Sequence, residues 1–161
     1  MRRSTIEILP IGLGHEEALA KFFALLRSRG VDEFFHPHPF TAQAARERAA
    51  YAGDDLYFGL FEDGAMLGYG MLRGWDEGYE IPSLGIVVHP DSQGQGLGRL
   101  LMTFLKAAAM RRGAKQIRLR VYPDNHTAVK LYRALGYELS AEKDSPYLIG
   151  FLDLSRPGNM S

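Results

Sequence analysis

The residues of this chain best suited to chemistry by type and spacing are Gln93-Gly94-Gln95-Gly96-Leu97-Gly98-Arg99. Three alternating glycines let a backbone turn tightly and approach a ligand without Cβ clashes. They run into an amphipathic stretch, and a helix starting there leaves its first amides unpaired at the positive end of its dipole. A turn joined to a helix start forms an anion site, most naturally for phosphate. Two other phosphate loops fail on spacing. A dinucleotide Gly-x-Gly-x-x-Gly begun at Gly94 needs glycine at position 99, where Arg99 stands, and a Walker loop needs Gly-Lys-Ser/Thr, which the chain lacks. Glycines kept for a tight turn alone would leave unexplained why an acid-free stretch begins at the same place.

That stretch is set in an uneven charge distribution. Of 161 residues, 19 Lys and Arg balance 19 Asp and Glu, a net charge of zero. Residues 1–91 carry 8 basic and 14 acidic residues, while 92–123 carry Arg99, Lys106, Arg111, Arg112, Lys115, Arg118 and Arg120 with no acid. A basic run is ordinarily a solvated face. Beginning at an anion-binding turn, it reads as more than a solvated face. Overall neutrality argues against a chain that coats nucleic acid or anionic membrane. With no cysteine, a disulfide scaffold, a thiolate zinc site and a cysteine nucleophile are excluded. No apolar run approaches the ~20 residues that cross a bilayer, and Arg2-Arg3 has no apolar stretch behind it, so a cytoplasmic location is the default expectation.

The elements around the turn follow from periodicity. Thr5–Pro10 alternates as a short strand. Glu16–Arg29 reads as a helix with Leu19, Phe22, Phe23 and Leu26 on one face and Gly30 as its stop. Pro37 and Pro39 keep Phe34–Phe40 from being helical, and Thr41 caps a short helix running to about Tyr51. Leu56–Glu62 and Ala65–Arg73 flank Asp63-Gly64, a strong hairpin signal. Tyr79–Val88 is a third strand, densest in apolar residues at its end, as a central strand would be. Leu97–Arg112 is the clearest helix, with Leu97, Leu100, Leu101, Phe104, Leu105, Ala108 and Ala109 on one face. Ile117–Val121 alternates apolar with basic residues. Asp124 or Asn125 caps a helix from His126 to Leu135 with Ala128, Leu131, Tyr132 and Leu135 inward, and Tyr137–Leu139 and Tyr147–Leu154 close the sheet. The order predicts one α/β domain over residues 1–154, a mixed sheet with helices on both faces, and a frayed tail at 155–161.

These residues resemble a known family. Gln93-x-x-Gly96-x-Gly98 matches the Gln/Arg-x-x-Gly-x-Gly/Ala signature of the GNAT superfamily of acyl-CoA-dependent N-acyltransferases. Val88-His89-Pro90 looks like the Val-x-Pro that commonly ends the preceding strand there. Asn125-x-x-Ala128-x-x-Leu131-Tyr132-x-x-Leu135-Gly136-Tyr137 is similar to the family's second hallmark. The resemblance is strong over residues 79–139 and consistent in element order elsewhere. It implies a mostly antiparallel sheet of six to seven strands flanked by about four helices, with a central parallel pair that splays. It also implies that acetyl-CoA binds with Gln93 and the amides of Gly94, Gln95, Gly96, Leu97, Gly98 and Arg99 at its pyrophosphate. The pantetheine arm would pair with the backbone of Ile86, Val87 and Val88, and Asn125 would contact that arm or hold the splay, besides capping its helix. Tyr132 would protonate the leaving thiolate, since a phenol of ordinary pKa near ~10 can do so at neutral pH. An amide near Val88 would polarise the thioester carbonyl. Glu80, on the strand leading to Val88, is the first candidate for general base.

The resemblance further places His36-Pro37-His38-Pro39-Phe40 in the segment that shapes the acceptor pocket. His36, His38 and Phe40, with Trp75 as a further wall, could hold a polar ring such as an amino sugar, or form a plain packing loop. Two histidines without a third ligand make no metal site, so no metal is expected. In ribosomal-protein N-terminal acetyltransferases a glutamate commonly stands five residues before the motif asparagine; here that residue is Arg120. That departure counts against a protein N-terminus using that base. The favoured acceptor is a small-molecule primary amine (amino sugar, polyamine or amino acid), with the polyanionic cofactor on the basic stretch and the acidic N-terminal part contributing most of the pocket for the cationic amine. A protein N-terminus or lysine is the alternative, and a non-catalytic acyl-CoA sensor or a nucleic-acid binder through 92–123 are readings of other classes. A homodimer is left open.

Overall fold

The computed structural model describes residues 3–155; positions 156–161, which hold most of the expected tail, lie outside the described residues. Strands β1 (Ile6–Pro10), β2 (Leu56–Glu62), β3 (Ala65–Arg73), β4 (Ser83–Val88), β5 (Gln116–Val121), β6 (Glu138–Ala141) and β7 (Leu148–Asp153) form one sheet. Its order is β1-β2-β3-β4-β5-β7-β6, antiparallel except between β4 and β5. Helices α1 (Glu16–Ser28) and α2 (Ala42–Ala49) cover one face, and α3 (Leu97–Arg111) and α4 (His126–Ala134) cover the other.

Local chemistry explains most boundaries. In α1, Glu16 and Glu17 occupy the first turn and Leu19, Phe22, Phe23 and Leu26 are buried, before Gly30 turns the chain at φ 71°. Thr41 caps α2, its hydroxyl accepting from the Ala44 amide at 3.0 Å. The hairpin between β2 and β3 turns at Asp63 and Gly64, both at positive φ.

Three expected elements shift. β4 begins at Ser83 rather than Tyr79. Asp55 Oδ1 accepts from the amides of Gly74 and Trp75, at 3.0 and 2.9 Å, and folds 75–77 into a 3-10 turn. Pro82 then has no N–H to give a ladder. In α3 the buried residues are Leu101, Met102, Leu105 and Ala109, while Leu100 is exposed, so the inward face is rotated toward Met102. In α4 Val129 and Tyr132 are buried, with Ala128, Leu131 and Leu135 only partly so.

The core has two layers. Leu19, Phe23 and Phe40 pack with Tyr57, Tyr69, Met71 and Val87 on the α1/α2 side. Met102, Leu105 and Tyr132 pack with Phe58, Leu72, Leu84, Ile117 and Leu119 on the other. Between them the sheet is incomplete. β4 and β5 register only at Ser83 and Arg118, where the Arg118 amide donates to the Pro82 carbonyl at 3.0 Å. Beyond that pair the strands part.

Candidate functional site

The gap between β4 and β5 exposes a defined set of backbone groups. The His89 amide donates to the Leu67 carbonyl at 2.7 Å, so the odd-numbered residues of β4 bond toward β3. Alternation then turns the N–H and C=O groups of Ile86 and Val88 toward β5, on the side where Pro82 already bonds to Arg118. No ladder partner from β5 reaches them among the described residues. Strand groups without a ladder seek another partner, and an extended amide-bearing ligand can supply one.

The glycine turn lies at the end of that strand. Gly94 and Gly96 take φ of 78° and 83°, and Gly96 caps α3 without a side chain. The Leu100 amide makes the first intrahelical bond, to the Gly96 carbonyl, leaving the amides of Leu97, Gly98 and Arg99 free of α-helical acceptors. Gln93, Gly94, Gln95, Gly96 and Arg99 are exposed. Gly98 serves packing instead: a Cβ there would stand 3.4 Å from Leu131 of α4 and 3.9 Å from Ile86 and Val88. Loop, strand end and α4 thus converge.

Two residues of α4 complete this side. Asn125 caps the helix, its Oδ1 accepting from the Ala128 amide at 3.3 Å. Tyr132 is 7% exposed, in the same core layer as Leu84. Burial pushes its phenol up to about 12, so it is protonated at neutral pH. Its hydroxyl has no hydrogen-bond partner among the described residues, leaving a proton donor uncommitted.

On the α1/α2 face a cavity of about 300 Å³ opens at the base of the gap, between the loop 34–37 and the Ser83–Gly85 and Arg118–Arg120 segments. His36 Nε2 lies 3.4 Å from the Tyr147 hydroxyl, to which Tyr122 donates at 3.2 Å. That hydrogen bond from Tyr122 is the first cause of the upward shift of the Tyr147 phenol. Arg73 donates to the Pro37 carbonyl at 2.8 Å and ties the loop to β3. Arg120 makes a two-pronged pair with Glu142 at 3.2 and 2.9 Å. An adjoining outer cavity shares Arg73, Ser83, Arg118 and Arg120 and adds Glu77 and Glu80.

Several expected wall residues lie elsewhere. His38 turns into the core, where its Nδ1 donates to the Pro39 carbonyl and its Nε2 accepts from the Tyr69 hydroxyl, both at 2.8 Å. Phe23 and Phe40 rings pack on it, and desolvation lowers its pKa. Phe40 is 3% exposed in the same cluster. Trp75 packs against the α3 side of the core, with the Arg112 guanidinium 4.9 Å from its ring centre. Of the four, only His36 lines the inner cavity. Glu80 sits in the bend before β4 and reaches only the outer one.

The inner cavity also departs from the expected charge: no acid lines it, and three arginines do. The basic stretch 92–123 does not gather round the glycine turn. Arg99 is near it, Arg112 lies past the far end of α3 bonded to the Asp54 carbonyl, and Arg118 and Arg120 face the cavity. Arg118, Arg120 and Tyr147 are the site residues that sequence reasoning passed over. The alternation of β5 carried the signal, since it puts both arginines on one face.

The model of the acetyltransferase (GNAT) family matches residues 21–137. Mycothiol acetyltransferase of Thermobifida fusca is 32% identical over 126 residues, covering 78% of this chain and 36% of the relative. The [Ribosomal protein bS18]-alanine N-acetyltransferase of Escherichia coli K12 is 34% identical over 82 residues, 51% of this chain and 54% of its own. The chain thus spans about half or less of the length of these curated relatives. The structure of PaiA N-acetyltransferase from Thermoplasma acidophilum in complex with coenzyme A superposes with a TM-score of 0.73 at 15% identity, covering 92% of this chain and 99% of that one. The shared fold includes the mixed sheet and its four helices. Among the described residues no helix is long and apolar enough to cross a membrane, and no group of three or more ligating side chains could hold a metal.

Proposed function

Because the chain belongs to the acetyltransferase (GNAT) family, we propose that it moves an acetyl group from acetyl-CoA to a primary amine of a small molecule, by direct attack in a ternary complex. The observation that carries this is the parted β4–β5 pair. It presents the backbone of Ile86 and Val88 beside a glycine turn at a helix start, with a basic cavity on the opposite face. Acetyl-CoA supplies an acyl group activated as a thioester.

The chain's own groups then have distinct tasks. Gln93 and the amides of Gly94 through Arg99 hold the pyrophosphate, by free N–H groups and the α3 dipole. The Ile86–Val88 backbone aligns the pantetheine arm, and Asn125 holds the α4 end of the gap. The Val88 amide donates to the thioester oxygen as charge develops there. Tyr132 donates its proton to the departing sulfur, and its raised pKa keeps that proton in place across the neutral range. The amine enters from the α1/α2 face. His36 lines the inner cavity and is the favoured group to accept the amine proton; Glu80 of the outer cavity is the second.

A protein α-amine or lysine is the second reading of the acceptor, favoured by the likeness to the bS18-alanine enzyme. Arg120, paired with Glu142, stands where a glutamate base would serve such a substrate. The test is release of CoA thiol from acetyl-CoA over a panel of small amines and amine-bearing peptides. Turnover of small amines supports the proposal. Turnover confined to peptides replaces it with the second reading, and acetyl-CoA binding without any turnover replaces it with a sensor.

A further inference from the structure

We propose that the acceptor is a primary amine that also carries a carboxylate, an amino-acid-type substrate, and that Arg118 binds that carboxylate. The assignment rests on the reading of the chain as an acetyltransferase of small amines. Three arginines line the inner cavity, and the guanidinium groups of two are already engaged. Arg73 donates to the Pro37 carbonyl and Arg120 to both oxygens of Glu142. Arg118 is different. It is half-buried, and among the described residues its side chain makes no hydrogen bond and no ion pair, although its main-chain amide bonds to Pro82.

A half-buried cation without a counter-ion is ordinarily avoided, because desolvation weakens it with nothing in return. The outer cavity that Arg118 shares does hold Glu77 and Glu80, but among the described residues neither pairs with it, and Glu142 is taken by Arg120. Arg118 also stands where position matters. It pairs with Ser83 at the point where β4 and β5 part, and it lines both cavities. Arg118 therefore lies where the outer cavity adjoins the inner one. A guanidinium presents a planar fork of donors that fits a carboxylate with two parallel hydrogen bonds.

The same charges select against other amines. A polyamine or a cationic amino sugar would bring further positive charge beside Arg73, Arg118 and Arg120, with no acid on the inner wall to offset the repulsion. An amino acid is neutral as a zwitterion and satisfies Arg118 on entry.

The test follows CoA thiol release from acetyl-CoA with free L-amino acids, the matching amino-acid amides, aminomethylphosphonate, putrescine and glucosamine. The expected result is a kcat/KM about 10- to 100-fold higher for at least one acid than for its amide, the range of a lost charged hydrogen bond. Arg118→Gln should abolish that preference while leaving the KM for acetyl-CoA and the melting temperature unchanged, and Arg118→Lys should restore part of it. Equal or better turnover of amides, putrescine or glucosamine overturns the carboxylate assignment alone, as does a preference kept in Arg118→Gln. A preference for the phosphonate replaces the carboxylate with a tetrahedral anion. No thiol release with any amine overturns the small-amine reading itself, and this assignment with it.

Discussion

Replacing Gly96 and, separately, Gly98 with alanine separates the two tasks that glycine performs in the turn. At Gly96, φ is 83° and a Cβ would meet nothing within 4 Å. The cost there is purely conformational, about 1–2 kcal/mol for an L-residue in the left-handed region. Gly98 lies inside the first turn of α3 without a positive φ, and its added Cβ would make ordinary contact with Leu131 at 3.4 Å. In a helix alanine is favoured over glycine by about 1 kcal/mol. For a domain of this size each kcal/mol moves the melting temperature by about 2–4 °C. Gly96→Ala should therefore melt roughly 2–8 °C lower, and Gly98→Ala at or above the wild type. The second readout is acetyl-CoA. Where the turn relaxes rather than bearing the strain, the amides following Gly96 are re-aimed, and that free energy appears in binding in place of the melting shift, raising the acetyl-CoA dissociation constant by up to about 5- to 30-fold. Gly98→Ala should stay within about twofold, since ~0.4 kcal/mol or less is at stake. Calorimetry with acetyl-CoA and melting curves of the three proteins make the comparison. A Gly96→Ala protein that melts and binds like the wild type, or a Gly98→Ala protein that suffers more, would refute the division of roles.

Other outcomes follow from the same geometry. Tyr132→Phe should lower kcat about 100-fold or more with little change in the acetyl-CoA KM, since a positioned acid contributes at least that much; unchanged turnover removes Tyr132 from the reaction. Burial raises the Tyr132 phenol to about 12 when folded, against about 10 unfolded, so its contribution is intact below pH ~10 and is lost between pH ~10 and ~12. Within that window wild type should lose up to about 3 kcal/mol more than Tyr132→Phe in urea titrations, and parallel losses would contradict the shift. His36→Ala should depress kcat far more than Glu80→Gln, and the reverse order would return the base to the outer cavity. Leu105→Ala, at a fully buried position, should destabilise by about 2–5 kcal/mol, read from the urea midpoint.

What was legible in the sequence is what local chemistry decides. The turn announces itself because the positive φ at Gly94 and Gly96 favours glycine, and the Asp63-Gly64 hairpin and the Thr41 cap are equally local. The start of β4 is not legible, because Asp55 fixes it through amides about 20 residues away. His36 and His38 look alike as residues of one proline-held loop. Which one turns inward depends on the Tyr69 hydroxyl, 31 positions further on. Alternation in β5 tells which way Arg118 points, but only the tertiary structure shows that Arg73 and Arg120 are engaged while Arg118 is not. The rotation of α3 toward Met102 likewise follows from where the sheet lies under it, which helical periodicity alone leaves open by one residue.

On the reading proposed above, the parted β4–β5 pair and the glycine turn together hold acetyl-CoA. A crystal structure of the protein with coenzyme A tests it most directly. The pyrophosphate should lie on the amides of Gly94 through Arg99, the pantetheine arm along Ile86–Val88, and the sulfur within reach of the Tyr132 hydroxyl. Phosphates seated away from that turn, or a pantetheine arm outside the gap, would contradict it.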